Sequence, residues 1–167
     1  LTEKCYEDPA EGLKAIMSPP LRTQRDCEEL WAGIQDKSID TIATDHCPFN
    51  FGVEKQLGRN DFTACPNGAP GVEERLPVIY SEGVAKGRIS ISDMVRVLCA
   101  EPSRMYGLYP KKGVIQPGAD GDIVIFDPKR EKTITHDALH SAVDYTCYED
   151  LKVQGAIDLV MQRGNVI

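Results

Sequence analysis

Apolar residues along the first half of the chain recur alternately at helix and strand spacings. Lys14-Ala15-Ile16-Met17 predicts a short strand, and Ser18-Pro19-Pro20-Leu21-Arg22 gives it a rigid exit because two prolines fix the backbone. Cys27, Leu30, Trp31 and Ile34 then fall at i, i+3, i+4 and i+7, one face of a helix. Thr23 is placed to cap that helix, and Asp26, Glu28 and Glu29 lie in its early turns, where carboxylates favour the helix dipole. A second short apolar run, Ile39 to Ala43, predicts another strand, ended by Thr44-Asp45-His46-Cys47-Pro48. Strand, helix and strand in this order predict a parallel βαβ unit and an α/β class.

From His46 to Gly71, prolines and glycines interrupt any period for 26 residues. A loop of that length in a compact domain is usually functional, although a plain surface loop fits its composition equally well. A helix is expected from Val72 to about Lys86, with Leu76, Ile79, Tyr80 and Val84 on one face and Gly87 as its stop. Another, capped by Ser90 or Ser92, runs through Met94, Val95, Leu98 and Cys99 and ends at Glu101-Pro102. After Pro110 the texture becomes that of short strands: Gly113–Gly118, Asp122–Pro128, Lys132–Thr135 and Val153–Ile167, the last bent at Arg163-Gly164-Asn165. A boundary is expected near residue 110.

Composition narrows the function classes. The chain has 167 residues, 41% hydrophobic and 27% charged, the profile of a soluble globular protein. A net charge of −7 argues against nucleic acid and anionic membrane surfaces as partners. No apolar run approaches the roughly 20 residues of a membrane span, and the N-terminus has no signal-peptide character. The six cysteines form no CxxC pair, so reduced thiols of a cytoplasmic protein are expected. The chain starts at Leu1 rather than Met, which points to processing or to a piece of a longer protein.

Asp45 draws attention by position. A carboxylate ending a buried strand must be paired, hydrogen-bonded or bound to a metal. Position alone leaves a capping or salt-bridged aspartate open. His136 and His140 share the i, i+4 spacing of zinc proteases but lack the glutamate after the first histidine, so they read as surface or structural residues. No Walker or dinucleotide glycine motif and no GxSxG is present.

Three blocks in order change the picture: Met17-Ser18-Pro19-Pro20-Leu21-Arg22, Thr44-Asp45-His46-Cys47-Pro48-Phe49 and Asn67-Gly68-Ala69-Pro70-Gly71-Val72-Glu73. Together with Leu108–Gly113, Asp122–Pro128 and Ser141-Ala142-Val143-Asp144-Tyr145, they resemble the C-terminal portion of the dihydropyrimidinase and D-hydantoinase family of metal-dependent amidohydrolases. The resemblance covers essentially the whole chain. It implies residues 1–110 as the last strand–helix units of a TIM-barrel amidohydrolase, and residues 111–167 as part of a small β-sandwich. The implied activity is the opening of a small cyclic amide, dihydropyrimidine or hydantoin, by a metal-activated hydroxide.

On this resemblance Asp45 is a metal ligand and proton shuttle, while Ser18 and Asn67 bind the substrate's amide edge, largely through main-chain groups. The implied cofactor is a divalent pair, zinc or manganese. The family's HxH pair, carboxylated lysine and two further histidines have no counterpart here, so the rest of a parent chain is expected to supply them. The implied assembly is a homotetramer. Glu149-Asp150 stands where relatives commonly carry Glu-Gly. Non-catalytic collapsin-response-mediator proteins share the fold, and a binding or assembly module is therefore the alternative. Retention of Asp45 and Asn67-Gly68 favours an enzyme.

Overall fold

The computed structural model describes residues 1–167. They divide into two compact units, each assembled from separate stretches of chain: 1–29, 44–75 and 133–151 in the first, and 30–43, 76–132 and 152–167 in the second.

The second unit holds the larger apolar core. Helix α1 (Gln24–Gln35) carries its last turns into it and buries Ile34 at 3% exposure. Thr23 starts this helix as expected: its hydroxyl accepts the Asp26 N–H at 3.2 Å while the Asp26 carboxylate takes the Thr23 N–H at 2.9 Å. Around Ile34 pack Tyr80, Ile89, Met94 and Val97, with Trp31, Leu76 and Phe126 at the margin.

Helix α2 starts at Arg75 rather than Val72 and runs as an α-helix to Ile79. Pro77 falls in its first turn, where a missing N–H costs no hydrogen bond. A π-helical turn, Tyr80–Ala85, continues it. Gly87 stops it as expected, in the left-handed region at φ +70°.

Ser90 caps α3 (Ile91–Val95) in a reciprocal box with Asp93. Another π turn, Arg96–Ala100, leads into α4 (Glu101–Met105). The helical path therefore passes the expected stop at Glu101-Pro102. Pro102 sits in the opening turn of α4, directly after the π turn.

The strand pattern after residue 110 is present in part. Strands β1 (Ile123–Thr133), β2 (Lys152–Gln162) and β3 (Asn165–Val166) form one sheet in the order β1-β2-β3, and β2 pairs antiparallel with β3 across the expected bend. Gly113–Gly118 forms turns instead of a strand.

Neither expected strand of the βαβ unit forms. Residues Gly12–Ala15 make a 3-10 turn, and Ile39–Ala43 belongs to no sheet. A strand is defined by a neighbour to bond, and no strand of this chain lies beside either segment. In its place, the Ile42 N–H bonds the Val97 carbonyl at 3.2 Å, and Arg96 donates to the Ile39 carbonyl at 3.1 Å and the Ile34 carbonyl at 2.7 Å.

The first unit is built differently, around buried polar groups. Lys55, Glu74 and Thr146 are 0%, 3% and 1% exposed, beside Ala15, Cys65, Ile134 and Tyr145. Thr146 donates to the Glu74 carboxylate at 2.6 Å and accepts the Tyr148 N–H at 3.1 Å, so this pair is satisfied. Tyr145 donates its hydroxyl to the Lys14 carbonyl at 3.2 Å, and burial holds that phenol well above its ordinary pKa.

Candidate functional site

Ser18, Asp45 and Asn67 stand on three segments of the first unit, and all three are exposed. This corrects the expectation for Asp45, whose carboxylate does not end a buried strand. Being exposed, it carries no burial penalty that demands a partner. What is unusual is its backbone, which adopts a left-handed φ of +45°. That region is costly for side chains with a Cβ, although aspartate and asparagine tolerate it best.

The loop 66–72 joins the three segments. Gly68 donates its N–H to the Ile16 carbonyl at 3.1 Å, two residues before Ser18. Cys47 donates its N–H to the Ala69 carbonyl at 3.2 Å, and His46 and Ala69 form a parallel bridge. His46 Nδ1 accepts the N–H groups of Gly71 and Val72 at 3.1 and 3.3 Å. Nδ1 thus serves this loop as an acceptor shared by two main-chain donors. Asn67 is thus fixed on one side to the segment before Ser18 and on the other to the segment after Asp45.

The loop fits only because position 68 is glycine. Its φ of +149° lies where side chains are rarely found, and a Cβ there would meet the Cys47 carbonyl oxygen at 2.4 Å and Cys47 Cβ at 2.8 Å.

Beneath the loop lies a lysine that the sequence reading passed over. Lys55 stands in a 3-10 turn, Lys55–Gly58, and its Nζ donates to the Ile16 and Pro66 carbonyls at 2.8 Å each. Burial lowers its pKa below the ordinary lysine range. Burial likewise raises the neighbouring Cys65 thiol, against the opposing pull of Lys55. None of the six cysteines forms a disulfide, and burial pushes the Cys147 thiol up to about 11.

Asp144 is the second residue not singled out, although it lies in a quoted block. Its carboxylate accepts the Phe51 and Gly52 N–H groups at 2.6 and 2.8 Å, tying 133–151 to the stretch after Pro48. Burial pushes its pKa up, but the N–H groups of Gly52 and Phe51 outweigh burial and hold it below the ordinary carboxylate value.

A depressed carboxylate pKa stabilises the fold above the unfolded value and loses that contribution as pH falls through the folded value. Asp144→Asn is therefore expected to cost about 1 kcal/mol at neutral pH, a low figure for a charge-assisted pair because the site is exposed. The difference between wild type and variant should shrink below about pH 4. Denaturant melts from pH 3 to 7 check this, and a difference independent of pH would contradict it.

A metal pair needs several nitrogen or oxygen donors converging on each ion. No group of three or more His, Cys, Asp or Glu residues is arranged to hold a metal ion, and Asp45 offers one exposed carboxylate. By themselves, the donors of this chain do not fit a metal pair. The other histidines do not add to it: His140 bonds Glu73 at 3.1 Å, and His136 opens a 3-10 turn, so the two share no α-helical face.

Comparison with known proteins extends the picture. Over its full length the chain is 46% identical to D-phenylhydantoinase of Escherichia coli O1:K1 / APEC. It superposes on a solved D-hydantoinase with a TM-score of 0.97 at 44% identity, and on the dihydropyrimidinase from Brevibacillus agri NCHU1002 with 0.98 at 40% identity. Each match covers all of this chain and 36% of the relative, so the chain spans little more than a third of the length of the proteins it matches. No helix is long and apolar enough to cross a membrane. The profile of the amidohydrolase family matches residues 10–167, nearly the whole chain, and the chain belongs to that family.

Proposed function

We propose that this chain is the C-terminal portion of a cyclic-amide hydrolase of the dihydropyrimidinase and hydantoinase type. Residues 1–110 supply the last strand–helix units of a TIM barrel, and residues 111–167 supply part of a β-sandwich. The observation that carries the reading is the stitching of the Ser18, Asp45 and Asn67 segments through Gly68, Ala69 and His46, which gathers three exposed polar residues on one unit. The names of the relatives supply the substrate class, a hydantoin or dihydropyrimidine ring.

In this reading the Ser18 and Asn67 segments bind the amide edge of the ring and fix its orientation. Asp45 holds a proton taken from the attacking water and delivers it to the ring nitrogen as the carbon–nitrogen bond breaks. A divalent pair, zinc or manganese, activates water in such hydrolases. Asp45 would contribute one ligand to it, and the remainder of a longer chain would contribute the others. A cytoplasmic location and a homotetramer belong to the same reading.

The test compares a full-length, metal-loaded parent with the isolated 167-residue chain. Dihydrouracil and hydantoin ring opening are assayed, and bound zinc and manganese are measured. Turnover and bound metal are expected in the parent alone. Stoichiometric metal with turnover in the isolated chain would refute the argument from missing donors. A folded parent that opens neither ring would favour a binding or assembly module.

A further inference from the structure

We propose that Lys55 is a positioning residue that holds the two substrate-binding segments, Ile16–Ser18 and Pro66–Gly68, in fixed register. The proposal rests on the ring-opening reading and specifies how its binding edge is kept in place.

The geometry is that of a three-way joint. The Ile16 carbonyl accepts two donors, Lys55 Nζ at 2.8 Å and the Gly68 N–H at 3.1 Å. The Pro66 carbonyl accepts the same ammonium at 2.8 Å. One carbonyl lies two residues before Ser18 and the other one residue before Asn67. A single side chain thus spans the two segments that must present their main-chain groups together. Because both bonds run from one nitrogen, neither segment can shift without lengthening one of them.

Filling buried space does not by itself account for this lysine. Its side chain is 0% exposed and is paired with no carboxylate, and burial raises the pKa of the neighbouring Cys65 and Cys147 thiols, which favours their neutral form. The Phe49 ring lies 5.9 Å from Nζ, at the outer limit of a cation–π contact. An ammonium buried without a counter-ion is costly, and apolar residues of similar volume often serve stability as well or better. What lysine adds is directed donors to two carbonyls. Precision of that kind matters at a binding edge, where small displacements of orienting groups are strongly felt.

The experiment uses the full-length metal-loaded protein with Lys55→Met, Lys55→Gln and a control, Ile134→Ala, which empties a buried site of the same unit that is 2% exposed. Readouts are melting temperature, hydrogen exchange at the Gly68 amide, and kcat and KM for dihydrouracil and hydantoin. For Lys55→Met we expect exchange at least about tenfold faster and KM raised about tenfold, with kcat within about threefold. Ile134→Ala should lower the melting temperature and leave KM within about twofold. Should Lys55→Met fail to fold, Lys55→Gln decides on the same thresholds.

Unchanged exchange and KM in a folded Lys55 variant would overturn the proposal, as would an equal rise in KM in Ile134→Ala. If the unsubstituted protein opens neither ring, the ring-opening reading fails, while exchange at Gly68 still decides whether Lys55 holds the loop.

Discussion

Asp45→Asn in the full-length enzyme should lower kcat by about 10²–10⁴-fold, the range that positioned proton transfer contributes. Asparagine has almost the same shape, and it tolerates the left-handed φ of +45° found at this position. The Asp45 carboxylate is exposed and forms no hydrogen bond or ion pair within this chain. Folding stability should therefore stay within about 0.5 kcal/mol of wild type. Asp45→Ala should also abolish turnover, with an added backbone penalty of roughly 1 kcal/mol because alanine gains nothing locally in the left-handed region. Steady-state ring opening, measured beside a melting curve, separates the two effects. A folded Asp45→Asn protein that keeps more than about a tenth of its activity would remove Asp45 from the proton path.

Gly68→Ala should be the most damaging single methyl in the site. The added carbon meets backbone, the Cys47 carbonyl oxygen at 2.4 Å, so the clash cannot be relieved by turning a flexible side chain. The φ of +149° adds conformational strain. A stability loss of about 2–4 kcal/mol is expected, or a loop that moves away from Cys47 to avoid it. The second outcome displaces Asn67, because moving the loop breaks the bonds of Ala69 to Cys47 and of Gly71 and Val72 to His46. Denaturant midpoints and KM for hydantoin test this together. A variant matching wild type in both would show that the loop has slack the contacts do not suggest.

Some features could be read locally because their causes are local. The Thr23–Asp26 and Ser90–Asp93 caps, the stop at Gly87 and the bend at Arg163-Gly164 each depend on a few adjacent residues. The helix after Ser90 was legible only in part. Val97 follows Met94 at i+3, on the same face, and is fully buried, while the equally apolar Val95 is 47% exposed.

The site divides in the same way. Asp45, Ser18 and Asn67 stand out in the sequence through their motif blocks, which carry their own signal. Lys55 does not, because Glu54-Lys55-Gln56 reads as a solvated polar run. Its burial is decided by carbonyls 39 and 11 residues away in sequence, which no local pattern encodes. Asp144 likewise acts on N–H groups 93 and 92 residues away.

Arg96 has a consequence for how this chain behaves among its own copies. Ile39-Asp40-Thr41-Ile42-Ala43 combines β-branched and apolar residues, and such a segment is a template for intermolecular pairing when it lacks a strand beside it. Here the guanidinium occupies the Ile39 carbonyl, and the Val97 carbonyl takes the Ile42 N–H. Asp40 and Asp45 add negative charge to the same stretch, the kind of gatekeeping that discourages self-association. Arg96 and Val97 thus leave two fewer backbone groups of this segment open to pairing with another chain.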